Sequence, residues 1–394
     1  MFRNYLVTAL RNLLNQKFYA LINVGGLAVG LAVCILILLF MRDEMSYDDW
    51  IPFAERIFKI ETTIPLQGRD TLLMAQVPPA IAPALERYFP DQVEYKTRVL
   101  QSESIIGTSD RFFNETISFV DVDFFNVFEL VMVSGDPGAM SDGVNNIFIS
   151  ESQARKYFGD TTALDRVLTA DVMRSDDVDN TKTEFRVAGV FRDLPINTHM
   201  PFNMFARLDA NRFAGINEEF SSAWMNAAYV RFHEGVDAEA VQARMSEFYL
   251  NVAPPRGDES ETFDYRTSRT LSFINVADVH LHSDKSQQLK PVGSFSTVVS
   301  FAMVALLILV IATVNFVNLA TARALRRAKE VSMRKVLGAT RRQLVPQFLG
   351  EAVLTTLLAL IAALLVVSLV LPYFNQYLDK AMHLDLLADP VQSI

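Results

Sequence analysis

The residues that could bind a metal ion lie together at 278–284, in the segment DVHLHSD. His280 and His282 are two residues apart, which on a β-strand would place both imidazoles on one face, with Asp278 and Asp284 beside them. Imidazole and carboxylate are ligands that divalent ions such as Zn²⁺ use. A site needs three or four convergent ligands, however. We therefore interpret the segment as a surface strand with its polar side in water, and we predict no metal site.

No other combination of residue types indicates catalysis or nucleotide binding. Neither G-x-x-x-x-G-K-[ST] nor G-x-G-x-x-G occurs, so the sequence offers no glycine-rich loop that could hold phosphates. Paired carboxylates such as Asp121 and Asp123 have no His, Lys or Ser at an informative spacing, and Ser150 and Ser152 lack the glycines of a nucleophile elbow. We predict that the chain is not an enzyme and holds no cofactor, and that any ATP is handled by another chain.

The most unusual segment is 321–342, TARALRRAKEVSMRKVLGATRR, in which eight Lys or Arg residues accompany a single acid, Glu330. Glu330 and Arg334 are four residues apart, the spacing of an ion pair along a helix. Gly338 can end that helix, and Thr340 can cap a second one. The pattern predicts a helix, a turn and a short second helix. Its charge suits contact with anionic lipid headgroups as well as a working role.

Three apolar stretches lie at 19–41, 297–320 and 347–371, and the last two flank this segment. Each has about 23 residues, enough for a helix to cross a hydrocarbon core of about 30 Å. Basic residues flanking a span stay on the cytoplasmic side. The N-terminus, with three basic residues and no acid, and segment 321–346 are therefore predicted to be cytoplasmic, and block 42–296 lies outside the cell membrane. The segment LLFMRDEMSYDDW, where the first span ends, offers no small-x-small cleavage site, and the span is predicted to be retained.

The predicted membrane helices carry residues suited to helix packing. Gly26 and Gly30 form a G-x-x-x-G pair, which allows another helix backbone to approach closely. Asn315 and Asn318 lie on one face near the cytoplasmic end of the second span, and because amides are costly in lipid we expect them to face protein. Residues 1–18 show apolar side chains at three- and four-residue spacing, which predicts an amphipathic helix in the membrane surface, although a helix packed on cytosolic protein would show the same pattern.

The block between the first two spans is predicted to be an α+β domain. Residues 42–294 contain 24 Lys or Arg and 40 Asp or Glu, and this acidity argues against nucleic acid as a partner. The single cysteine, Cys34, lies in the first span, so the block must fold on its own apolar core. Alternating and helical patterns predict strands at 56–63, 94–100, 117–120 and 185–191, and helices at 79–89 and 150–158.

The segment RRAKEVSMRKVLGATRRQLVPQFLGEAVL resembles the signature of FtsX-like (MacB-like) ABC transporter permeases. FRNYLVTALRNLLNQKFYALINVGGLAVGLA resembles the family's N-terminal helix and first span, and IFISESQARKYFGD and FRVAGVFRDLPINTHMPFNMF resemble its extracytoplasmic domain. The resemblance implies 42–296 as a MacB-like periplasmic core domain and 297–394 as an FtsX-like permease domain. It also implies a bacterial inner-membrane, multi-pass location.

In such permeases a cytosolic ABC ATPase docks between the second and third spans, and its cycle changes the shape of the outer domain by mechanotransmission. The resemblance therefore implies efflux or release of a drug, peptide or lipoprotein, or regulation of an envelope process. A second permease copy, or a second half, would complete the assembly in the lipid bilayer. The coupling segment would comprise Arg327, Lys329, Glu330, Arg334, Lys335, Gly338 and Ala339.

The sequence departs from the family pattern at its end. Family units have a fourth span, whereas here the predicted extracytoplasmic tail 372–394 ends the chain, so we expect a fragment or the N-terminal half of a longer permease. The alternative function is an extracytoplasmic sensor that signals through its spans. Sensors of that kind normally end in a kinase, a cyclase or a HAMP-like coil, and none is present in this sequence.

Overall fold

The computed structural model describes residues 17–65, 70–109, 111–172, 182–213, 216, 224–253, 269–326, 328, 332, 333, 336, 337 and 341–384. The chain divides into two units. The helical unit combines the residues up to Met45 with those from Phe295 onward, and the α+β unit is Ser46–Ser294. The helices are α1 (Lys17–Met45), α2 (Ile81–Tyr88), α3 (Phe124–Phe128), α4 (Ala139–Asp142), α5 (Glu151–Phe158), α6 (Ala238–Ala243), α7 (Met245–Val252), α8 (Val279–His282), α9 (Phe295–Arg326) and α10 (Arg341–Leu378).

Three of these helices are long and apolar enough to cross a membrane: Ala20–Met45 in α1, Phe295–Ala322 in α9 and Phe348–Leu378 in α10. Each includes the stretch predicted from hydropathy or nearly all of it, and α1 and α10 continue several residues beyond it. The helices extend past the predicted apolar stretches because residues outside the hydrocarbon region can continue a helix without being apolar. Predicted helix 1–18 lies almost entirely outside the described residues.

Within the helical unit, α1 contacts both α9 and α10. Towards α10, Leu27 and Ala28 pack with Ala359, and Ala32 packs with Ala363. These alanines have little side chain to separate the backbones, so the two helices approach closely and gain dispersion contacts along their length. The first membrane helix is therefore the shared neighbour of the other two.

The α+β unit is built on one eleven-stranded sheet. Its strands are β1 (Ile57–Ile64), β2 (Leu72–Met74), β3 (Val93–Gly107), β4 (Phe112–Val120), β5 (Met132–Gly135), β6 (Asn146–Ser150), β7 (Val167–Asp171), β8 (Lys182–Phe191), β9 (Met204–Arg207), β10 (Ala227–Phe232) and β11 (Thr270–Asn275). The main path runs β11-β1-β10-β3-β4-β9-β6-β8-β5, with β2 on β1 and β7 paired to both β3 and β8.

The long strand β3 joins two parts of this sheet. Its first residues, from Val93 to Val99, pair with β10, and its last three, from Ile105 to Gly107, pair with β7. Because β7 also pairs with β8, the strands β3-β4-β9-β6-β8-β7 close into a ring. Closure leaves no free edge within the ring.

Alternation along the strands supplies two apolar cores. In β6, Ile147 and Ile149 enter one core, while Phe148 between them enters a second. The second core is rich in phenylalanine from α3 and β9, including Phe124, whose ring lies 4.5 Å from that of Phe205. Side chains on opposite faces of a pleated strand explain this division.

Local sequence signals correctly predicted the ends of α5, but they did not predict the structure around His280 and His282. The Gln153 amide donates to the Ser150 hydroxyl (3.4 Å) at the start of α5, and Gly159 ends the helix with a φ of 78°. The strand expected around His280 and His282 is wrong, because Val279–His282 is a single helical turn. Two-residue spacing on a helix turns the imidazoles to different sides, so the shared face does not exist.

Candidate functional site

The connection between α9 and α10 is described only in part. All seven residues of the predicted coupling set lie outside the described residues: Arg327, Lys329, Glu330, Arg334, Lys335, Gly338 and Ala339. Among the described ones, the Leu337 amide donates to the Met333 carbonyl (3.1 Å), the bond of one α-helical turn. Met333, Val336 and Leu337 are 70%, 88% and 85% exposed.

These three side chains have the i, i+3, i+4 spacing that places residues on one helix face. We call Met333, Val336 and Leu337 the apolar face of the connection. Large apolar side chains grouped on an exposed helix face indicate contact with another molecule or with a membrane. The sequence shows Val336 and Leu337 as apolar members of the basic segment, but their shared face with Met333 is recognised only in the structure.

The glycine pair of α1 faces α9. A Cβ atom built on Gly30 would lie 2.8 Å from the Cβ of Ala312, and one built on Gly26 would lie 3.5 Å from the Asn315 amide nitrogen. Nothing lies within 4 Å of a Cβ built on Gly25. At Gly30 the two helices are therefore too close to admit a side chain, and this position needs glycine.

The two asparagines of α9 differ in their surroundings. Asn315 borders Gly26, although much of its side chain is exposed. Asn318 is also exposed within the apolar span Phe295–Ala322. The structure therefore does not bring Asn318 into the contact that the glycines make.

The outer ends of α1 and α10 are joined by an ion cluster that the sequence analysis did not predict. The Lys380 ammonium donates to the Glu44 carboxylate (2.6 Å) and to the Asp43 carboxylate, and it lies 5.1 Å from the ring centre of Phe40. All three charged side chains are nearly buried. Burial lowers the pKa of Lys380, but the hydrogen bonds and charges of Asp43 and Glu44 outweigh it, so the pKa is raised.

A sequence signal for this cluster did exist. Lys380 is the only Lys or Arg after position 342, and the acid pair Asp43–Glu44 follows the first apolar stretch. Both positions lie at the same end of their spans once the topology is assigned. Charged groups next to a membrane span need opposite charges when they become buried. Opposite charges at the same end of two spans could therefore have suggested the pairing.

Polar side chains are also buried between the helices near the basic connection. Asn23 of α1 and Glu351 and Thr355 of α10 each have less than a tenth of their surface exposed. The Thr355 hydroxyl donates to the Glu351 carbonyl (2.8 Å), one helical turn earlier. Such residues favour helix–helix contact over lipid contact.

The described residues include no group of three or more His, Cys, Asp or Glu side chains that could hold a metal ion. His280 is buried and stacks on Tyr47, with ring centres 3.4 Å apart. His282 is half-exposed, with its Nδ1 atom 3.3 Å from the Asp278 carboxylate. The two imidazoles thus have different partners.

Comparison with protein families gives two matches that together cover most of the chain. Residues 20–248 match the MacB-like periplasmic core domain, and residues 302–391 match the FtsX-like permease C-terminal domain. No curated protein matches the chain.

Solved structures give further similarities. A domain of a protein described as a permease from Porphyromonas gingivalis shares 22% identity, with a TM-score of 0.43, over 57% of this chain and 91% of that one. The periplasmic region of MacB from Actinobacillus actinomycetemcomitans shares 13% identity, with a TM-score of 0.39, over 59% and 92%. The extracellular domain of the ABC-type transporter YknZ from Gram-positive bacteria shares 13% identity, with a TM-score of 0.36, over 55% and 99%.

Proposed function

Since the chain belongs to the family with a MacB-like periplasmic core domain and carries an FtsX-like permease domain, it is an ABC-type permease, and we propose that it is the mechanical subunit of its transporter. In this proposal a separate cytosolic ABC ATPase hydrolyses ATP, and the α+β unit changes shape outside the cell membrane. The N-terminus and the connection between α9 and α10 face the cytoplasm of a bacterium, as their basic residues favour.

The observation that carries the proposal is the apolar face of the connection. A purely electrostatic contact with lipid headgroups needs only the surrounding basic residues. Met333, Val336 and Leu337 add large apolar surface on one side of a helical turn, and all three are highly exposed. A helix that presents i, i+3, i+4 apolar residues is suited to a groove on a protein partner, where basic neighbours fix its orientation.

The helix contacts supply a route from this connection to the outer unit. Helix α10 begins at Arg341, directly after the connection. It packs along α1 through Ala359 and Ala363, and Lys380 joins the far ends of the two helices. Helix α1 in turn continues through the Met45–Ser46 peptide bond into the α+β unit. A displacement of the connection would thus reach the outer unit through α10 and α1.

The remaining surface of the helical unit supports a second permease copy or second half as a further partner. Most of the α9 span is exposed in this chain, including the amide of Asn318. An amide left in lipid is unfavourable, so we place a protein neighbour over it. The process served is export or release of a drug, peptide or lipoprotein, or control of an envelope process.

The test is co-purification of the tagged full chain with a co-expressed cytosolic ABC ATPase. Val336→Asp with Leu337→Asp removes the apolar face, and Arg334→Glu with Lys335→Glu reverses the charge beside it. Each double variant is expected to lose the ATPase and the permease-dependent ATP hydrolysis. Val167→Asp, which changes an exposed apolar side chain of β7, is the matched control and should retain both.

ATPase recovery equal to wild type in both double variants would exclude this connection as the docking surface. If those variants instead lost only binding to vesicles containing anionic lipid, the connection would be a membrane-surface element. The sensor alternative predicts that no ATPase is recovered even with the unaltered chain.

A further inference from the structure

Two segments of the α+β unit, 46–48 and 197–199, meet at a buried carboxylate, that of Asp48. Asp48 is fully buried, and its carboxylate accepts hydrogen bonds from the Thr198 hydroxyl (2.6 Å), the His199 amide (3.1 Å) and the His199 Nδ1 (2.8 Å). Its backbone has a φ of 64°, a left-handed conformation that Asp and Asn tolerate better than most residues. The side-chain hydrogen bonds hold this turn in place.

The imidazole of His199 extends the network into the sheet. His199 Nε2 and the Tyr229 hydroxyl share a hydrogen bond of 3.0 Å, and both residues are buried. Burial raises the pKa of Asp48, but the charge of His199 and the hydrogen bonds from His199 and Thr198 outweigh it, so the pKa is lowered. Asp48 therefore stays ionised inside the protein, held by neighbours far away in sequence.

Backbone hydrogen bonds join the same two segments on the other side of Asp48. The Asp48 amide donates to the Asn197 carbonyl (3.1 Å). The Asn197 side-chain amide donates to the Ser46 carbonyl (2.9 Å) and lies 3.0 Å from the Ser46 hydroxyl. Segment 46–48 is therefore attached to segment 197–199 through both backbone and side chains.

The segment that leads to α9 completes the cluster. Tyr47 stacks on His280 with an angle of 5° between the rings, and Lys290 lies 5.6 Å from the Tyr47 ring centre. The Lys290 ammonium also donates to the Ile196 carbonyl (2.5 Å). We call this set the base cluster: Ser46, Tyr47, Asp48, Ile196, Asn197, Thr198, His199, Tyr229, His280 and Lys290.

The positions of these segments in the chain suggest what the cluster does. Ser46 directly follows α1, and Lys290 lies five residues before α9 begins at Phe295. The middle segment belongs to the loop between the end of β8 at Phe191 and the start of β9 at Met204, and both strands are members of the closed ring. The base cluster thus links the chain beside two membrane helices to the ring.

A buried ion and its partners are a poor way to gain stability alone, because apolar residues of similar volume often do as well. A buried ion and its hydrogen-bond partners do, however, fix the relative positions of the segments that they join. We propose that the base cluster is the junction that passes displacement of the first membrane helix to the β8–β9 loop and the ring, with Asp48 as its positioning residue. This inference rests on the proposed function and names the residues through which it acts.

The first experiment needs no ATPase. Amide hydrogen exchange is measured on the full chain in lipid nanodiscs for wild type, Asp48→Asn and the control Asp160→Asn. Asparagine keeps the shape of Asp48 and tolerates its φ, but it removes the charge. Asp160 is an exposed carboxylate that also accepts hydrogen bonds, from Thr161 and Thr162.

Asp48→Asn is expected to accelerate exchange about tenfold in 194–203 and 279–290 as well as in 46–51, because the loss of a charge-assisted hydrogen bond loosens all three segments. Asp160→Asn should leave them unchanged. Acceleration confined to 46–51 would overturn the inference, since the segments would then not act as one unit.

The second experiment measures transmission. Spin labels are placed at Arg192→Cys, the first residue of the β8–β9 loop, and at Glu239→Cys on α6, both exposed, in a Cys34→Ala background. With the co-purified ATPase, ATP and vanadate should change the distance between the labels in wild type. Asp48→Asn should abolish that change while keeping ATPase binding and hydrolysis, which a purely structural role would not do.

An unchanged response in Asp48→Asn would overturn the inference. If the unaltered chain recovers no ATPase, the proposed function fails, and hydrogen exchange still decides whether the cluster is one unit. Asn197→Ala is the milder variant if Asp48→Asn does not fold. It removes the bonds to Ser46 only, and it should reduce the distance change; a full response would again count against the inference.

Discussion

Gly30 of α1 and Ala312 of α9 lie so close that a Cβ atom on Gly30 would stand 2.8 Å from the Cβ of Ala312. Real Cβ atoms do not approach so closely, and an alanine side chain cannot rotate away. The separation of these two membrane helices is therefore set by the absence of a single methyl group. Contact of this kind is typical of small residues in membrane helices.

The pair Gly30→Ala and Gly25→Ala tests this contact within one helix. Gly30→Ala is expected to destabilise the helical unit by about 1–3 kcal/mol, because the helices must separate to admit the methyl group. Gly25→Ala, which meets open space, should be neutral. Thermal unfolding of the full chain in detergent measures both. Ala312→Gly should rescue Gly30→Ala, and equal stability of the two alanine variants would contradict the contact.

Lys380→Gln tests the ion cluster that joins α1 to α10. Removing the ammonium leaves the nearly buried Asp43 and Glu44 carboxylates without this lysine, which should reduce stability by roughly 3 kcal/mol. Arg155→Gln, whose ion pair with Glu151 is largely exposed, is the control and should lose no more than about 0.5 kcal/mol.

The pKa of Lys380 gives a second signature. Because the folded-state pKa is raised above the ordinary value of 10.5, the stabilisation is fully present below about pH 10.5 and is lost as the pH rises through the folded-state pKa. For the helical unit, an unfolding profile that is flat to pH 10 and then falls is expected in wild type but not in Lys380→Gln. Matching alkaline profiles would exclude a stabilising role for the cluster.

Local and periodic signals accounted for much of this fold. Long apolar runs indicated the three membrane helices, and Ser150 with Gly159 indicated the ends of α5, because each signal depends on residues close in sequence. The histidine segment failed for the same reason. Two-residue spacing fits a strand, but four residues are too few for the pattern to exclude a helical turn, and in the structure the segment is such a turn, with His280 stacked on Tyr47.

The base cluster and the closed ring could not be predicted because they depend on residues far apart in the chain. Asp48 and His199 are separated by 151 positions, and neither has a neighbour that signals the other. The pairing of β7 with β3 likewise depends on how the sheet closes. Non-local contacts of this kind follow from the topology of the sheet, which local patterns in the sequence do not reveal.

Lys59 predicts a pH dependence of the α+β unit with the opposite sign to that of Lys380. Burial lowers the pKa of Lys59 to about 8, although Glu61 and Asp48 raise it in part. Below pH 8 the lysine is charged in both states, and the folded state bears the full penalty of burying it. Between about pH 8 and 10.5 the folded protein binds fewer protons than the unfolded chain, so stability rises with pH.

We expect the free energy of unfolding to increase by about 2 kcal/mol between pH 7.5 and 9.5. Urea unfolding followed by fluorescence of the α+β unit measures this change. Lys59→Met should flatten the profile, while Lys156→Met, a control at a more exposed lysine, should keep the rise. A wild-type profile that falls over this range would contradict a lowered pKa for Lys59.

Asn318 offers a test of the second copy or half proposed for the assembly. Its amide is exposed within the α9 span, where lipid would leave it without hydrogen-bond partners. If the amide bonds across a helix interface, Asn318→Leu should weaken self-association of the full chain in vesicles by about 1 kcal/mol, roughly fivefold in the association constant. Energy transfer between labelled copies gives that constant.

Val317→Leu, an exposed apolar neighbour, is the matched control. Association that is unchanged, or stronger, in Asn318→Leu would mean that a second copy does not cover this part of α9, because replacing an amide by an apolar side chain can favour the separated state only when the amide has a partner to lose.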